Sequence, residues 1–149
     1  MMRPDKDTYY LDIALAVSKR STCLKRHYGA VIVKDDVIVA TGYNGSPRGE
    51  ENCCDTNHCE RLNAQRYTDY ENCSSVHAEQ NALIAASRDR LIGATVYLAC
   101  EGRRWSNINQ SFFDWKEDEE PIPCPICTRM LKNAGITRIV NRRGEVKCL

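Results

Sequence analysis

No stretch of the chain approaches the roughly 20 consecutive apolar residues needed to span a bilayer. The opening residues, Met1-Met2-Arg3-Pro4-Asp5-Lys6-Asp7, lead into an amphipathic segment and not into the hydrophobic core of a secretion signal. The expectation is a cytoplasmic protein with no membrane partner. An excess of either charge is also missing: 21 Lys and Arg against 20 Asp and Glu give a formal net charge of +1. That balance argues against a strongly basic nucleic-acid binder and against an acidic tail, although local basic patches survive such an average. Aromatic residues are scarce at 7%, which leaves the core to Ala, Val, Ile and Leu. The 149 residues suffice for one core, and two domains would each be marginal. Cysteine, by contrast, is abundant: nine residues, an odd number, with no secretion signal. In a reducing compartment this points to metal ligation and buried thiols, not to a disulfide framework.

The hydrophobic pattern predicts a helix from about Asp5 to Arg20, with Tyr9, Ile13, Ala16 and Val17 near helical spacing. Two runs rich in Val and Ile, Tyr28 to Lys34 and Val37 to Thr41, flank Asp35-Asp36 and read as a hairpin. The second run ends in the turn-rich Gly42-Tyr43-Asn44-Gly45-Ser46-Pro47-Arg48-Gly49. Glu50 to Ser75 is polar, with Cys53, Cys54, His58, Cys59 and Cys73 and a short helix expected around Arg61 to Tyr67. A loop of that length needs something to order it. Val76 to Ser87 reads as a helix capped by Ser75, and Ala94 to Ala99 as a strand. Glu101 to Ile122 reads as a second polar insertion, with Trp105, Phe112, Phe113 and Trp115. Cys124 to Ala134 reads as a helix stopped by Gly135, and Thr137 to Asn141 as a last strand. Cys100 falls in a strand and is expected in the core, while Cys148 carries no assigned role. The order of elements implies an α/β sandwich with helices covering a mixed sheet.

Two short motifs carry chemistry. His77-Ala78-Glu79 opens one helix, and Pro123-Cys124-Pro125-Ile126-Cys127 opens another. Cys124 and Cys127 share a helix face, and at a helix start the positive end of the dipole favours thiolate. Pro125 suits the first helical position, where no N–H is required. With His77 as a third ligand, a tetrahedral zinc keeps one position open for water, the layout of a catalytic site. Two thiolates and a neutral imidazole cancel the charge of the ion, so its water is less acidic than in an all-His site and a nearby base becomes useful. Glu79 can take up a proton and deliver it to a ring nitrogen and a leaving amine. Taken alone, a C-x-x-C is a structural zinc half-site or a redox pair, and a helical His-Ala-Glu is a solvated face. Together, H-x-E and P-C-x-x-C form the signature of zinc nucleobase deaminases.

On these motifs the chain resembles the cytidine and deoxycytidylate (dCMP) deaminase superfamily, and within it the dCMP deaminases. His77-Ala78-Glu79-Gln80-Asn81-Ala82 matches their helix, Gly42 to Gly49 is similar to their loop, Tyr28-Gly29-Ala30-Val31-Ile32-Val33 resembles their first strand, and Asn133-Ala134-Gly135-Ile136 their closing turn. The resemblance implies a three-layer α-β-α sandwich around a mixed sheet of about five strands. It implies one deaminase domain over 1–149, with insertions at about 50–75 and 101–122. It also implies a catalytic zinc on His77, Cys124 and Cys127, Glu79 as proton shuttle, and substrate contacts from Asn44 and the Ala78 backbone N–H. Such enzymes are oligomers, hexamers or dimers, and many respond to dCTP with Mg²⁺ or to dTTP. The Gly42–Gly49 loop is implicated there, which makes Arg48 a candidate phosphate or effector contact. The bland reading of Asn44 and Arg48 is turn chemistry.

Several dCMP deaminase-like proteins carry a second, structural zinc, and Cys23, Cys53, Cys59 and Cys73 fit the order of its ligands. Cys54 and His58 compete for the register, and scattered buried thiols are the plain alternative. A closed four-sulfur site would order the long loop without a hydrophobic core. The chain departs from the family pattern at Glu101 to Ile122, which separates the strand from Pro123 and leaves substrate identity open. Lys25, Arg26, Arg48, Arg103 and Arg104 are all candidates to bind a substrate phosphate. The leading expectation is hydrolytic deamination of dCMP to dUMP and ammonia. The same chemistry on cytidine, guanine or tRNA adenosine stays open, as does a catalytically silent, zinc-stapled homologue of the kind found in a DNA-uptake operon. An RNA substrate would favour a basic surface, which the net charge does not supply.

Overall fold

The computed structural model describes residues 2–61, 68–106, 111–114 and 120–147, with the backbone alone at 102–106 and 111–114. Helix α1 (Lys6–Ser18) starts where its cap demands. Asp5 is extended and its carboxylate accepts the Thr8 amide at 2.7 Å, which satisfies one of the donors a helix start leaves open. Strands β1 (Arg26–Lys34) and β2 (Val37–Tyr43) form the expected antiparallel hairpin. Asp35 and Asp36 both take left-handed backbone, with φ of 51° and 60°, as a type I′ turn requires. Asp36 also ties this turn to α1 through Lys6 and the Tyr10 hydroxyl.

The polar segment that follows contains a short helix, α2 (Cys53–Thr56), and a single 3₁₀ turn at Tyr70–Asn72. The helix expected around Arg61 to Tyr67 lies outside the described residues from 62 onward. Next come α3 (Ala78–Ile84), α4 (Arg88–Leu91), β3 (Thr95–Ser106), β4 (Ser111–Asp114), α5 (Pro125–Ala134), β5 (Arg138–Asn141) and β6 (Gly144–Glu145). The strands run in the order β2-β1-β3-β5-β6. Every neighbouring pair is antiparallel except β3 and β5, and β4 adds antiparallel to the outer part of β3.

Alternation along the strands builds the two faces. Val31 and Val33 of β1, Tyr97 and Ala99 of β3, and Val140 of β5 pack with Tyr10, Leu11 and Ala14 of α1. Ala30 and Ile32, Val96 and Leu98, and Ile139 turn the other way, onto Ala78, Ala82 and Leu83 of α3, Leu91 of α4 and Leu131 of α5. Burying each such Leu, Ile or Val stabilises the fold by roughly 1.5–3 kcal/mol. The result is the expected three-layer sandwich on a mixed sheet.

Three local expectations change. The helix expected from Val76 begins at Ala78, with His77 and not Ser75 at its N-cap. Val76 is occupied elsewhere: its amide and carbonyl both pair with Gly45, at 2.8 and 3.1 Å. The strand expected to end at Ala99 continues to Ser106 because β4 pairs with it at Arg103 to Ser106. The first part of the supposed 101–122 insertion is therefore sheet. Cys100 is half-buried and not a core residue, while Cys148 and Trp115 lie outside the described residues.

One close approach fixes the site. A Cβ on Gly42 would sit 2.4 Å from the Ala78 carbonyl oxygen and 2.5 Å from the Ala82 amide. Only glycine lets β2 hold the start of α3 directly against its backbone.

Candidate active site

Two helix starts meet over one end of the sheet. His77 caps α3, and its backbone N–H donates to Gln80 Oε1 at 2.9 Å. Gln80 in turn reaches Met130 of α5, so one side chain sets both the His77 backbone and the spacing of the two helices. Cys124 caps α5, its sulfur accepts the Cys127 amide at 3.3 Å, and Pro125 follows inside the helix. His77 Nδ1 stands 3.6 Å from Cys124 Sγ and 3.4 Å from Cys127 Sγ. Among the described residues, this trio is the one group of three metal-ligating side chains whose donor atoms all lie within 4.8 Å of one another.

The spacing can be tested against an ion. With Zn–S near 2.3 Å and Zn–N near 2.0–2.1 Å, tetrahedral geometry places N and S about 3.6 Å apart. The observed separations fit a zinc held by these three atoms. One of the two thiols is shifted towards the thiolate that ligation needs. The Cys127 thiol, and after it His77, hold Cys124 down to about 4. Cys127 is pushed up, first by Cys124 and then by burial. His77 is raised, chiefly by Cys124.

Glu79 is 7% exposed, and burial pushes its carboxyl above the usual carboxylate range. It lines the same pocket as His77 and Cys124. Ala78 between them is fully buried in the core cluster under α3 and does not line the pocket with its side chain. Asn44 does line it and is largely committed: its Oδ1 accepts from Ser21 Oγ at 2.6 Å and the Tyr28 amide at 2.8 Å, and its Nδ2 donates to the Arg26 carbonyl at 2.9 Å. One amide N–H is left over among the described residues. Lys25 and Arg26 line the pocket as well, whereas Arg48 is exposed and outside it. The side chains of Arg103 and Arg104 lie outside the described residues.

Cys23, Cys53, Cys59 and Cys73 come into one neighbourhood. Burial raises the thiols of both Cys23 and Cys53, and Cys59 and Cys73 add to it in each case, against the Arg26 and Lys25 amides that bond to Cys23. The four do not converge as tightly as the trio above. The competitors for this register, Cys54 and His58, are exposed, and His58 pairs with Glu60 at 2.7 Å.

Two residues escaped the reading of the sequence. Tyr70 packs its ring 5.5 Å from that of His77, and the Arg61 guanidinium lies 4.6 Å over the Tyr70 ring. Both belong to the polar 50–75 segment, where neither periodicity nor spacing marks them.

Two sulfurs and one nitrogen at tetrahedral spacing, with a buried carboxyl beside them, are the site pattern of the zinc nucleobase deaminases. The sequence profile of the cytidine and deoxycytidylate deaminase zinc-binding region matches residues 4–142. The chain belongs to that family. It is 37% identical over 147 residues to the deoxycytidylate deaminase of Saccharomyces cerevisiae, covering 92% of this chain and 45% of the yeast protein. It is 36% identical over 144 residues to that of Mycobacterium phage D29, covering 94% of this chain and 96% of the phage protein. It thus spans less than half of the yeast relative and nearly all of the phage one. The crystal structure of the cyanophage S-TIM5 dCMP deaminase with dCMP and dUMP superposes with a TM-score of 0.63 at 26% identity, covering 95% of this chain and 83% of that one.

Proposed function

We propose that the protein is a zinc-dependent dCMP deaminase, one domain over 1–149, converting dCMP to dUMP and ammonia. The observation that carries this is the meeting of His77, Cys124 and Cys127 at tetrahedral spacing, with buried Glu79 in the same pocket. The names of the relatives support the substrate. His77, Cys124 and Cys127 would hold the zinc. When bound, zinc supplies a Lewis acid that makes water a nucleophile near neutral pH. Glu79 takes one proton of the attacking water and hands it to N3 of the pyrimidine, where it stays, and then carries the second proton, from the new hydroxyl at C4, to the departing amine. Its raised pKa suits a group that must accept and release a proton in turn. The Ala78 N–H, at a helix start where amides lack intrahelical partners, is the donor for the pyrimidine carbonyl. Asn44 offers its remaining N–H to the sugar or base, and its other bonds lock the pocket wall.

The cluster of Cys23, Cys53, Cys59 and Cys73 is the proposed seat of a second, structural zinc, supported by the proximity of Cys23 to thiols of the 50–75 segment, which has little core of its own. A homo-oligomer and a response to dCTP with Mg²⁺ through the exposed loop around Arg48 complete the reading. The deciding experiment is ammonia release by the purified zinc-loaded protein from dCMP, cytidine, guanine and a tRNA. Release from dCMP above all others is expected. Release from another base alone would overturn the substrate, and release from none would overturn the enzyme.

A further inference from the structure

The pocket that holds His77 and Glu79 has an unbalanced charge. Among the described residues Lys25, Arg26 and Arg61 line it, and Glu79 is the one carboxylate there. The three cations crowd one another: burial first, then Arg61 and Arg26, lower the pKa of Lys25. A cluster of like charges in a cavity is relieved by an anion. The three cations are not equivalent. Lys25 donates to the Arg61 carbonyl at 3.2 Å, and Arg26 Nη1 donates to the Tyr28 hydroxyl at 3.2 Å. Arg61 is held by its inner nitrogen, which donates to the Thr68 carbonyl at 2.9 Å, and by its flat face on Tyr70. Neither contact uses its two outer nitrogens. Tyr70 in turn packs against His77, so the guanidinium is referenced to the metal ligand through one ring. Among the described residues this arrangement leaves the outer edge of the guanidinium for a two-point contact with an oxyanion.

We infer that Arg61 is the specificity-determining residue that reads the 5′-phosphate of the substrate, with Lys25 and Arg26 as supporting charges, so that the pocket takes a nucleoside monophosphate in preference to a nucleoside. The inference rests on the deaminase reading above and adds to it the residue that sets the substrate class. Arg61 comes from the cysteine-bearing 50–75 segment, so that segment takes part in recognition as well as in folding.

The test compares the zinc-loaded wild type with Arg61→Gln and Arg61→Lys. Turnover of dCMP and deoxycytidine is measured, and binding of dUMP and deoxyuridine by calorimetry. Loss of a charge-assisted, two-point contact should lower kcat/KM by about 10- to 100-fold more for dCMP than for deoxycytidine, mainly through KM. Arg61→Lys, which keeps the charge and loses the fork, should fall between, and it serves if Arg61→Gln does not fold. An unchanged dCMP-to-deoxycytidine ratio, whether both rates fall or neither does, overturns the inference. Should the wild type deaminate neither compound, the deaminase reading fails and binding judges Arg61 by itself. Weaker dUMP binding with deoxyuridine unaffected supports the assignment, and equal dUMP affinity in wild type and variants overturns it.

Discussion

At Glu79 the chemistry and the packing ask for different things. A carboxyl that is 7% exposed costs stability whenever it is ionised, and burial raises its pKa accordingly. That cost is the counterpart of its proposed role: the carboxyl stands beside His77, Cys124 and Cys127, the residues proposed to hold zinc, and is not counted among them. Glu79→Gln keeps the shape and removes the proton chemistry. It should lower kcat by about 10²–10⁴-fold, with zinc content by atomic absorption unchanged. A variant that retains wild-type turnover would sink the proton-shuttle role. His77, Glu79, Cys124 and Cys127 were legible in the sequence because their spacing is local to two helix starts. Arg61 and Tyr70 were not, since what makes them matter is a relay of contacts, Arg61 over Tyr70 and Tyr70 against His77, that joins separate parts of the chain.

The elements show where local pattern suffices and where it fails. The hairpin was readable because Asp35-Asp36 sits between two apolar runs, and α1 because Tyr9, Ile13, Ala16 and Val17 fall near helical spacing. The start of α3 was misplaced by the pairing of Val76 with Gly45, and the end of β3 by its pairing with β4. Both are long-range contacts that override local preference. The same α3 start rests on Gly42. Gly42→Ala would put a methyl group within 2.5 Å of the Ala78 carbonyl oxygen and the Ala82 amide, so α3 must shift. The expected outcome is a loss of 1–3 kcal/mol, the range for overpacking, read as a lowered denaturation midpoint together with weaker zinc retention. Helix α1 is joined to β5 by a two-point contact of Arg138 with Asp7, at 2.7 and 3.1 Å, and the Tyr97 hydroxyl donates to Asp7 at 2.8 Å. Arg138, and after burial's opposing effect Tyr97, hold the Asp7 carboxyl below 3.8. Its folded pKa lies below its unfolded one, so its contribution is complete above that value and is lost as pH falls through the folded pKa. The Asp7 side chain is 40% exposed, so screening limits the gain, and Asp7→Asn should cost about 1 kcal/mol at neutral pH. Thermal melts from pH 6 down to pH 2 should converge for wild type and variant in acid. A constant gap at every pH would contradict the ion pair.

For the whole molecule, the proposed second zinc would give the two cysteine groups separable demands on metal. The purified protein should carry two zinc ions per chain, and Cys23→Ser or Cys73→Ser should carry one, with the catalytic zinc retained. One ion in the wild type, still bound in both variants, would assign the outer cysteines to packing. Charge also has a whole-molecule consequence: a formal net charge of +1 coexists with three cations in one pocket. The average over the chain therefore hides the anion-attracting field at the site, a field that should weaken with salt.

The ligands of the proposed catalytic zinc lie 47 and 50 residues apart along the chain. An ion that joins them closes a covalent-like loop through the middle of the sequence, and it encloses β3, β4 and the approach to α5. In the chain-entropy picture, fixing a loop of that length removes about 4 kcal/mol of freedom from the unfolded chain, as much as a disulfide would. Zinc is then a cross-link as well as a reagent, and one that can form where disulfides are reduced. Starved of zinc, the protein would lose its persistence along with its activity, because the unlinked chain opens more often to proteases. Its abundance would follow the availability of the metal without any dedicated regulator.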